Sequence, residues 1–521
     1  MSQDASQMMG AQWLLKSAAA AGIEVCFANP GTTELPFVAA MDRATEIRPL
    51  LGLFEGVCSG AADGYYRIRR KPAMTLTHLG PGFANAIANL HNARRARSTI
   101  FNVIGEHMSW HVAADPPLAS DIESLARPVS AGVWRADTSA TLHSATVGAL
   151  HGLQHIGGIH TLILPMDLQE DPVHHAIAPA VAAQAPADYN AGAVATVAAD
   201  ITAGRKVLLY LGADALGEGT LRRLARLAAL PNVELVGETF PAASEQGLGL
   251  PAVKRLVALA EKAHPYLLGF ERIAVLGAEP PVAFFGARGL PSHLGDPARM
   301  VQLCGPRGRV GEAVDDLLER VRPPAAPMAL LQRVSDTDLG EALTAETASR
   351  VIAAHLPANA IVSAEGATLG FPFNALASQA ERHTTIVLTG GAIGQGLPSA
   401  FGASVAAPGR KVVALQSDGS ALFTIQALWS MAREGSDVVV VLASNRRYNI
   451  LINEMARTGY ELTSESVRDL LSLGRPAVDW QALSTSFGVP ASRVDSVSAL
   501  RRAFQAALAE RGPRLIEVVL P

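Results

Sequence analysis

Lys411-Val412-Val413-Ala414-Leu415-Gln416, running into Ser417-Asp418-Gly419-Ser420, and Asp437-Val438-Val439-Val440-Val441-Leu442-Ala443, running into Ser444-Asn445-Arg446-Arg447, decide how this chain folds. Each apolar run has the length of a buried strand, and the residues between them, Ser420 to Glu434 ahead of Gly435, carry a helical pattern. Parallel strands joined by a helix put both carboxyl ends on one edge of a sheet, the edge where open α/β folds bind ligands. Asp418 and Asn445 are therefore expected to be neighbours.

One residue offers an anionic oxygen and the other a neutral one, a donor pair suited to Mg²⁺ completed by a carbonyl, water and diphosphate oxygens. Gly419 lets the backbone pass close to a phosphate, and the helix after it presents free N–H groups. The same residues also fit an ordinary strand-to-helix turn with an N-cap, so this segment alone leaves both readings open.

At 521 residues the chain is too long for one core and suggests about three domains. With 49% hydrophobic and 17% charged residues it is a compact globular sequence rather than a disordered one. A net charge of -4 carries no nucleic-acid signature. Cys26, Cys58 and Cys304 are widely spaced and odd in number, which points to buried apolar residues rather than a disulfide framework or a zinc site. The polar start, Met1 to Gln7, lacks a basic n-region, and Lys16 interrupts the next apolar stretch, so an amphipathic helix is expected there rather than a signal peptide. No run is long enough to cross a bilayer, and a cytoplasmic protein is the expectation.

Ala/Pro-rich stretches at Ala178 to Pro186 and Pro323 to Pro327 are linker candidates. Each of the three pieces between them alternates short strands with helical patterns. The strands are Thr75 to Thr77, Ile100 to Ile104 and Thr161 to Leu164 in the first, and Lys206 to Leu211 and Arg272 to Leu276 in the second. The expected fold class is α/β, as three parallel-sheet domains. Gly391-Ala392-Ile393-Gly394-Gln395-Gly396-Leu397-Pro398 lacks G-x-G-x-x-G spacing, and a glycine loop passing close to a flat cofactor explains it better than a nicotinamide site.

Glu55, in Phe54-Glu55-Gly56-Val57-Cys58-Ser59-Gly60-Ala61-Ala62-Asp63-Gly64-Tyr65, is placed at the head of a helix after strand Leu50 to Leu53, among small and apolar residues. Poor solvation there would fit it to hold a proton, although a first-turn glutamate also suits its own helix dipole. Thr77-His78-Leu79-Gly80-Pro81-Gly82-Phe83-Ala84-Asn85 ends a strand with a histidine, and a Gly-Pro-Gly turn would expose the His78 ring for acid-base work. His107 and His111 fit hydrogen-bonding or surface roles.

In this order, these pieces resemble the thiamine-diphosphate-dependent enzymes of the acetolactate synthase, benzoylformate decarboxylase and pyruvate oxidase type, over nearly the whole chain. Asp418-Gly419 with Asn445 is the most specific part. Glu55 in Phe-Glu-Gly-Val is the second, and Asn29-Pro30-Gly31-Thr32-Thr33-Glu34-Leu35-Pro36-Phe37, which looks like the N-terminal loop of benzoylformate decarboxylases, is the third. The resemblance implies a pyrimidine-binding domain at 1–177, a central domain at 188–322 and a diphosphate-binding domain at 329–521. It implies thiamine diphosphate and Mg²⁺ as cofactors, the metal held by Asp418, Asn445 and the Arg447 carbonyl. Asn29, Pro30, Gly31, Thr32, Asn85, Gly391, Gly419, Ser420 and Tyr448 would lie about the cofactor, and Ile393 would prop it in a bent shape. Glu55 would hydrogen-bond the aminopyrimidine, and Thr32, His78, Ile450, Leu451 and Glu454 would line the substrate pocket.

The implied chemistry is decarboxylation of a small 2-oxo acid, with the electron pair held on the cofactor. The product is then either protonated to an aldehyde or coupled to an aldehyde or a second 2-oxo acid. Active sites between chains imply a homodimer or homotetramer. Ser417 and Ser444 replace the Gly and Asn usual in the metal motif, without removing a ligand. His78 sides with the decarboxylases and Gly80-Pro81-Gly82 with the synthases. The central piece has no clear copy of the Gly-His-Gly segment that FAD-binding synthases carry, and Thr239 to Gly247 stands nearby instead, which makes FAD doubtful. The expected function is acetolactate synthase-like carboligation, with a benzoylformate-type decarboxylase as the alternative.

Overall fold

The computed structural model describes residues 8–179, 184–324 and 331–521. The Met1 to Gln7 segment, and parts of both expected linkers, lie outside the described residues. Helix α1 (Gly10–Ala20) follows the N-terminal segment and buries Trp13, Leu14 and Leu15.

The first sheet is built from β1 (Val25–Asn29), β2 (Arg48–Leu51), β3 (Ala73–His78), β4 (Ile100–Glu106), β5 (Gly132–Arg135) and β6 (Ile159–Pro165). All neighbours are parallel, in the order β2-β1-β3-β4-β6-β5. The second contains β7 (Val207–Leu211), β8 (Val233–Gly237), β10 (Lys254–Arg255), β11 (Arg272–Leu276) and β12 (Met300–Cys304), in the order β10-β8-β7-β11-β12. Between β8 and β10 the chain sends out a short strand, β9 (Ser244–Gln246). It pairs antiparallel with a strand of the third sheet, so that sheet is mixed rather than wholly parallel. The third sheet adds β13 (Ala360–Ala364), β14 (His383–Val387), β15 (Val412–Ser417), β16 (Val438–Ser444), β17 (Ala491–Val494) and β18 (Arg514–Val519), in the order β9-β14-β13-β15-β16-β18-β17.

The two valine-rich strands, β15 and β16, are adjacent and parallel, with Ser417 level with Ala443. Every residue of β16 is buried, because helices cover both faces of a central parallel strand; this is why it reads as an unbroken valine run. The helix expected from Ser420 to Glu434 is instead two pieces. The reason for the break lies at Thr424, whose hydroxyl donates to the Gly394 carbonyl at 2.8 Å, drawing the intervening residues toward the glycine turn.

The helices that place the site are α2 (Glu55–Arg69), α3 (Leu79–Arg95), α4 (Gly396–Ala406), α5 (Asp418–Ala421), α6 (Ala427–Glu434) and α7 (Asn449–Thr458). Helix α2 of the first unit lies directly against α4 of the third. Gly60, Gly64 and Gly402 sit at this crossing, and a Cβ added at Gly64 or Gly402 would overlap the opposite backbone. The small residues after Glu55 therefore seat a helix from another unit. Beside them, a fully buried Asp63–Arg67 pair spans the junction. Arg67 donates to the Val387 carbonyl at 2.7 Å and the Thr389 hydroxyl at 2.8 Å, and the Gln395 amide donates to Asp63 at 2.5 Å. All three cysteines are free and buried, and burial pushes the Cys58 thiol up to about 12.

Candidate active site

At the end of β15, Asp418 is 4% exposed and forms no ion pair among the described residues. Its Oδ1 accepts the Gly419 N–H at 2.8 Å and its Oδ2 the Arg446 N–H at 2.6 Å, so the carboxylate is bonded into the loop that carries Asn445. Burial raises its pKa above the usual carboxylate range, against these backbone donors. Asn445 is half-buried, and its Oδ1 accepts the Arg447 N–H at 3.2 Å. The Arg446 carbonyl is taken by the Leu473 N–H at 2.7 Å. A buried carboxylate without a cationic side chain, beside the amide oxygen carried by the neighbouring loop, is an oxygen donor set that fits a hard divalent cation. The Tyr448 ring covers Gly419, where a Cβ would come within 2.7 Å of Cε1. The Ser420 hydroxyl is turned back toward its own strand, donating to the Ser417 carbonyl at 3.2 Å.

Glu55 begins α2 and is half-buried, not enclosed as its neighbours suggested; Asn85 Nδ2 donates to its Oε2 at 3.0 Å. Gly80-Pro81-Gly82 is not a turn but part of the first turns of α3, whose first residue, Leu79, is in left-handed backbone (φ +52°). The two glycines are needed for close approach: side chains at 80 and 82 would meet Ser120 and Glu55.

That reversal leaves His78 against the Asn29 to Glu34 loop, its ring packed so close on Gly31 that a Cβ there would overlap it. Glu34 is fully buried, and its Oε2 accepts the Gly31 N–H at 2.7 Å and meets His78 Nδ1 at 2.9 Å. The Thr33 hydroxyl donates to Glu34 Oε1 at 2.6 Å. With Oε2 aimed at Nδ1, the carboxylate fixes the Nδ1–H tautomer, and Nε2 has no partner among the described residues. Pro30 and the exposed Thr32 complete this rim.

Ile393 is 38% exposed at the crest of the glycine turn, between Gly391 (φ +80°) and Gly394 (φ +95°), where left-handed backbone favours glycine. Glu365, after β13, accepts the N–H groups of Gly394, Gln395 and Gly396 at 2.5, 3.1 and 2.8 Å and the Gln416 amide at 2.6 Å. Burial raises its pKa nonetheless. Glu454 does not stand free: it pairs with Arg457 at 2.5 Å, which lowers its pKa, and Arg457 also reaches Glu261 at 2.7 Å. Helix α7 buries none of its ten residues and leaves Ile450 and Leu451 exposed.

Sequence reasoning missed Glu34 and Glu365 as organisers. Glu365 repeats the strand-Glu-Gly pattern that drew attention to Glu55, and Glu34 is an acid set in an otherwise neutral loop.

Two α/β units whose strand-end loops carry this acid-amide pair and a helix-heading glutamate match known proteins. The model for the thiamine pyrophosphate enzyme N-terminal TPP binding domain fits residues 8–123, and that for the C-terminal TPP binding domain fits residues 371–518. A Mycobacterium tuberculosis chain, IlvX, whose name marks it as a candidate acetolactate synthase large subunit, is 42% identical over 518 residues, 99% of each chain. Benzoylformate decarboxylase of Pseudomonas aeruginosa is 28% identical over 95% of this chain and 96% of its own. Among solved structures, a thiamine diphosphate-dependent 4-hydroxybenzoylformate decarboxylase of Rhodococcus jostii RHA1 superposes with a TM-score of 0.86. It is 23% identical, covers 98% of this chain and 99% of its own, and speaks for the fold. This chain belongs to the thiamine pyrophosphate enzyme family, of the acetolactate synthase and benzoylformate decarboxylase type.

Proposed function

We propose that the protein is a thiamine-diphosphate- and Mg²⁺-dependent enzyme that decarboxylates a 2-oxo acid. The observation that carries this reading is the pairing of a buried, cation-free Asp418 with Asn445 at one sheet edge, together with Glu34-oriented His78 at another. Asp418, Asn445 and the Arg447 carbonyl would hold the metal, and Gly419, beneath Tyr448, would pass close to the diphosphate. Bound thiamine diphosphate supplies an electron sink for the pair released when carbon dioxide leaves. Glu55, held by Asn85, would share a proton with the bound cofactor's aminopyrimidine, and Ile393 would support the cofactor from the glycine turn. His78 would exchange a proton with the substrate through Nε2, while Glu34 holds Nδ1.

A proton donor held this firmly favours release of an aldehyde. Coupling to a second carbonyl, the acetolactate synthase-like outcome, is favoured by the 42% identical relative and its name. In this reading residues 1–177, 188–322 and 329–521 serve as pyrimidine-binding, central and diphosphate-binding domains. The sites lie between chains of a homodimer or homotetramer in the cytoplasm; three buried free thiols suit a reducing compartment. A screen of 2-oxo acids, from pyruvate to benzoylformate, alone and with an added aldehyde, tests it. Carbon dioxide with free aldehyde supports the decarboxylase, hydroxy ketone supports the carboligase, and no carbon dioxide from any acid sinks both.

A further inference from the structure

We propose that Phe284, carried by the central unit, is a specificity-determining residue that selects 2-oxo acids with an aryl or bulky apolar side chain over pyruvate; the proposal rests on the thiamine-diphosphate reading above. The chain leaves the carboxyl end of β11 as a loop pinched at its base. Val282 and His293 form an antiparallel bridge, the Ala283 N–H donates to the Ser292 carbonyl at 2.8 Å, and the Leu294 N–H donates to the Pro281 carbonyl at 2.9 Å. Phe284 follows directly. Its ring centroid lies 5.2 Å from that of Phe240 and 4.5 Å from that of Phe285. Phe240 sits between β8 and β9, and β9 pairs with β14, so the segment behind Phe284 is tied to the third sheet.

The tip of the Phe284 ring meets the glycine turn. A Cβ added at Gly391 would come within 3.1 Å of Phe284 Cζ, and one at Gly394 within 2.8 Å of Phe423 Cβ, so both glycines that bracket Ile393 border a phenylalanine. Phe284 nevertheless stays 44% exposed, and Phe285, Ile393 and Phe423 are exposed as well. One end of the ring is fixed, and the rest is open beside the residue proposed to support the cofactor, where the reacting carbonyl would be brought. Residues 280–287 and 390–394 include no charged side chain and no side-chain hydrogen-bonding group. A wall of this composition gains by covering apolar surface and offers nothing to a carboxylate, ammonium or guanidinium on the substrate's side chain. An aryl group matches it best, because it can abut the Phe284 ring edge to face or offset. The methyl group of pyruvate covers little of it. Phe284 and the glycine turn belong to one chain, and to the half of the site that holds Asp418, so this wall stands whichever chain supplies Glu55.

The test uses the full chain loaded with thiamine diphosphate and Mg²⁺. Wild type should turn over benzoylformate or a branched aliphatic 2-oxo acid with a higher kcat/KM than pyruvate. In Phe284→Ala the ratio of kcat/KM for the preferred acid to that for pyruvate should fall at least about tenfold, and in Phe284→Leu by less. A fluorinated benzoate shares the aryl group and the carboxylate but has no 2-oxo group to react. Its binding, read by fluorine NMR, should weaken at least about fivefold in Phe284→Ala. Sedimentation of that variant should match wild type. A wild type that prefers pyruvate, or an unchanged ratio, would overturn the proposal. So would a variant whose subunits separate, because Phe284 would then serve a contact between chains. Should Phe284→Ala not fold, Phe284→Leu carries both measurements. Protein that takes up no thiamine diphosphate would sink the proposed function and this proposal with it, whereas an enzyme that decarboxylates pyruvate best sinks only the role of Phe284.

Discussion

The carboxyl edges of the first and third sheets each bury an acid that no lysine or arginine pairs with among the described residues, yet they satisfy it in opposite ways. Glu34 closes on its own unit: a backbone N–H, a hydroxyl and an imidazole converge on it, and Gly105 clears the space it occupies. Asp418 has only backbone N–H groups, one from its own helix and one from the neighbouring loop. An acid complete in itself organises a neighbour. One left short of positive charge invites a cation. In the proposed function the first edge handles the proton and the third is the anchor.

Removing the charge at the anchor should produce the largest effect. Asp418→Asn keeps the size and an acceptor but gives up the anionic ligand, and is expected to weaken Mg²⁺-thiamine diphosphate binding about a thousandfold, or about 4 kcal/mol. Without ligand the variant should melt at or above the wild-type temperature, because burial opposes ionisation of this carboxyl. Thermal scans with and without cofactor separate the two effects, and saturable uptake of wild-type strength by Asp418→Asn would dissolve the contrast between the edges.

The two edges also differ in how openly the sequence displays them. Asp418 and Asn445 follow valine-rich strands, so period, strand length and parallel geometry suffice to set them side by side. His78 is visible as a strand-end histidine, but its partner is not, because Glu34 lies 44 positions away and the contact depends on two loops meeting across β1 and β3. The small residues after Glu55 suggest, by composition, an unsolvated setting for a carboxyl. They are the seat of α4, a contact between distant parts of the chain that no local pattern specifies. The broken helix before Glu434 has the same origin, since the bond from Thr424 to Gly394 is tertiary.

The central sheet provides a third edge against which to sharpen the comparison. Glu238 follows β8, and burial pushes its pKa up to about 7; Glu279 adds to the rise, while Arg97 and the Ala213 N–H oppose it. Its folded value lies above the ordinary 4.5, so the proton favours the fold. That contribution is intact below about pH 4.5 and is lost as pH rises through about 7. Glu238→Gln should consequently gain stability over wild type at pH 8, by at most about 3 kcal/mol, and little at pH 4. Denaturant unfolding at the two pH values measures it; an equal shift at both would mean the acid is not held protonated by the fold.

The smallest effect is expected where the acid is already satisfied. Glu34→Gln preserves the shape of the loop and can still accept from Gly31 or from His78 Nδ1, but it takes away the negative charge that a protonated His78 would face. Turnover of whichever 2-oxo acid proves active should fall about tenfold, or about 1.4 kcal/mol, with KM nearly unchanged, because the charge matters during proton transfer more than in binding. In a His78→Ala background the same substitution should cost almost nothing, since Glu34 acts only through the ring. Equal losses in both backgrounds would show that Glu34 merely braces the loop. The first edge would then hold its acid for packing alone, and the division of labour between anchor and proton site would have to rest on His78 by itself.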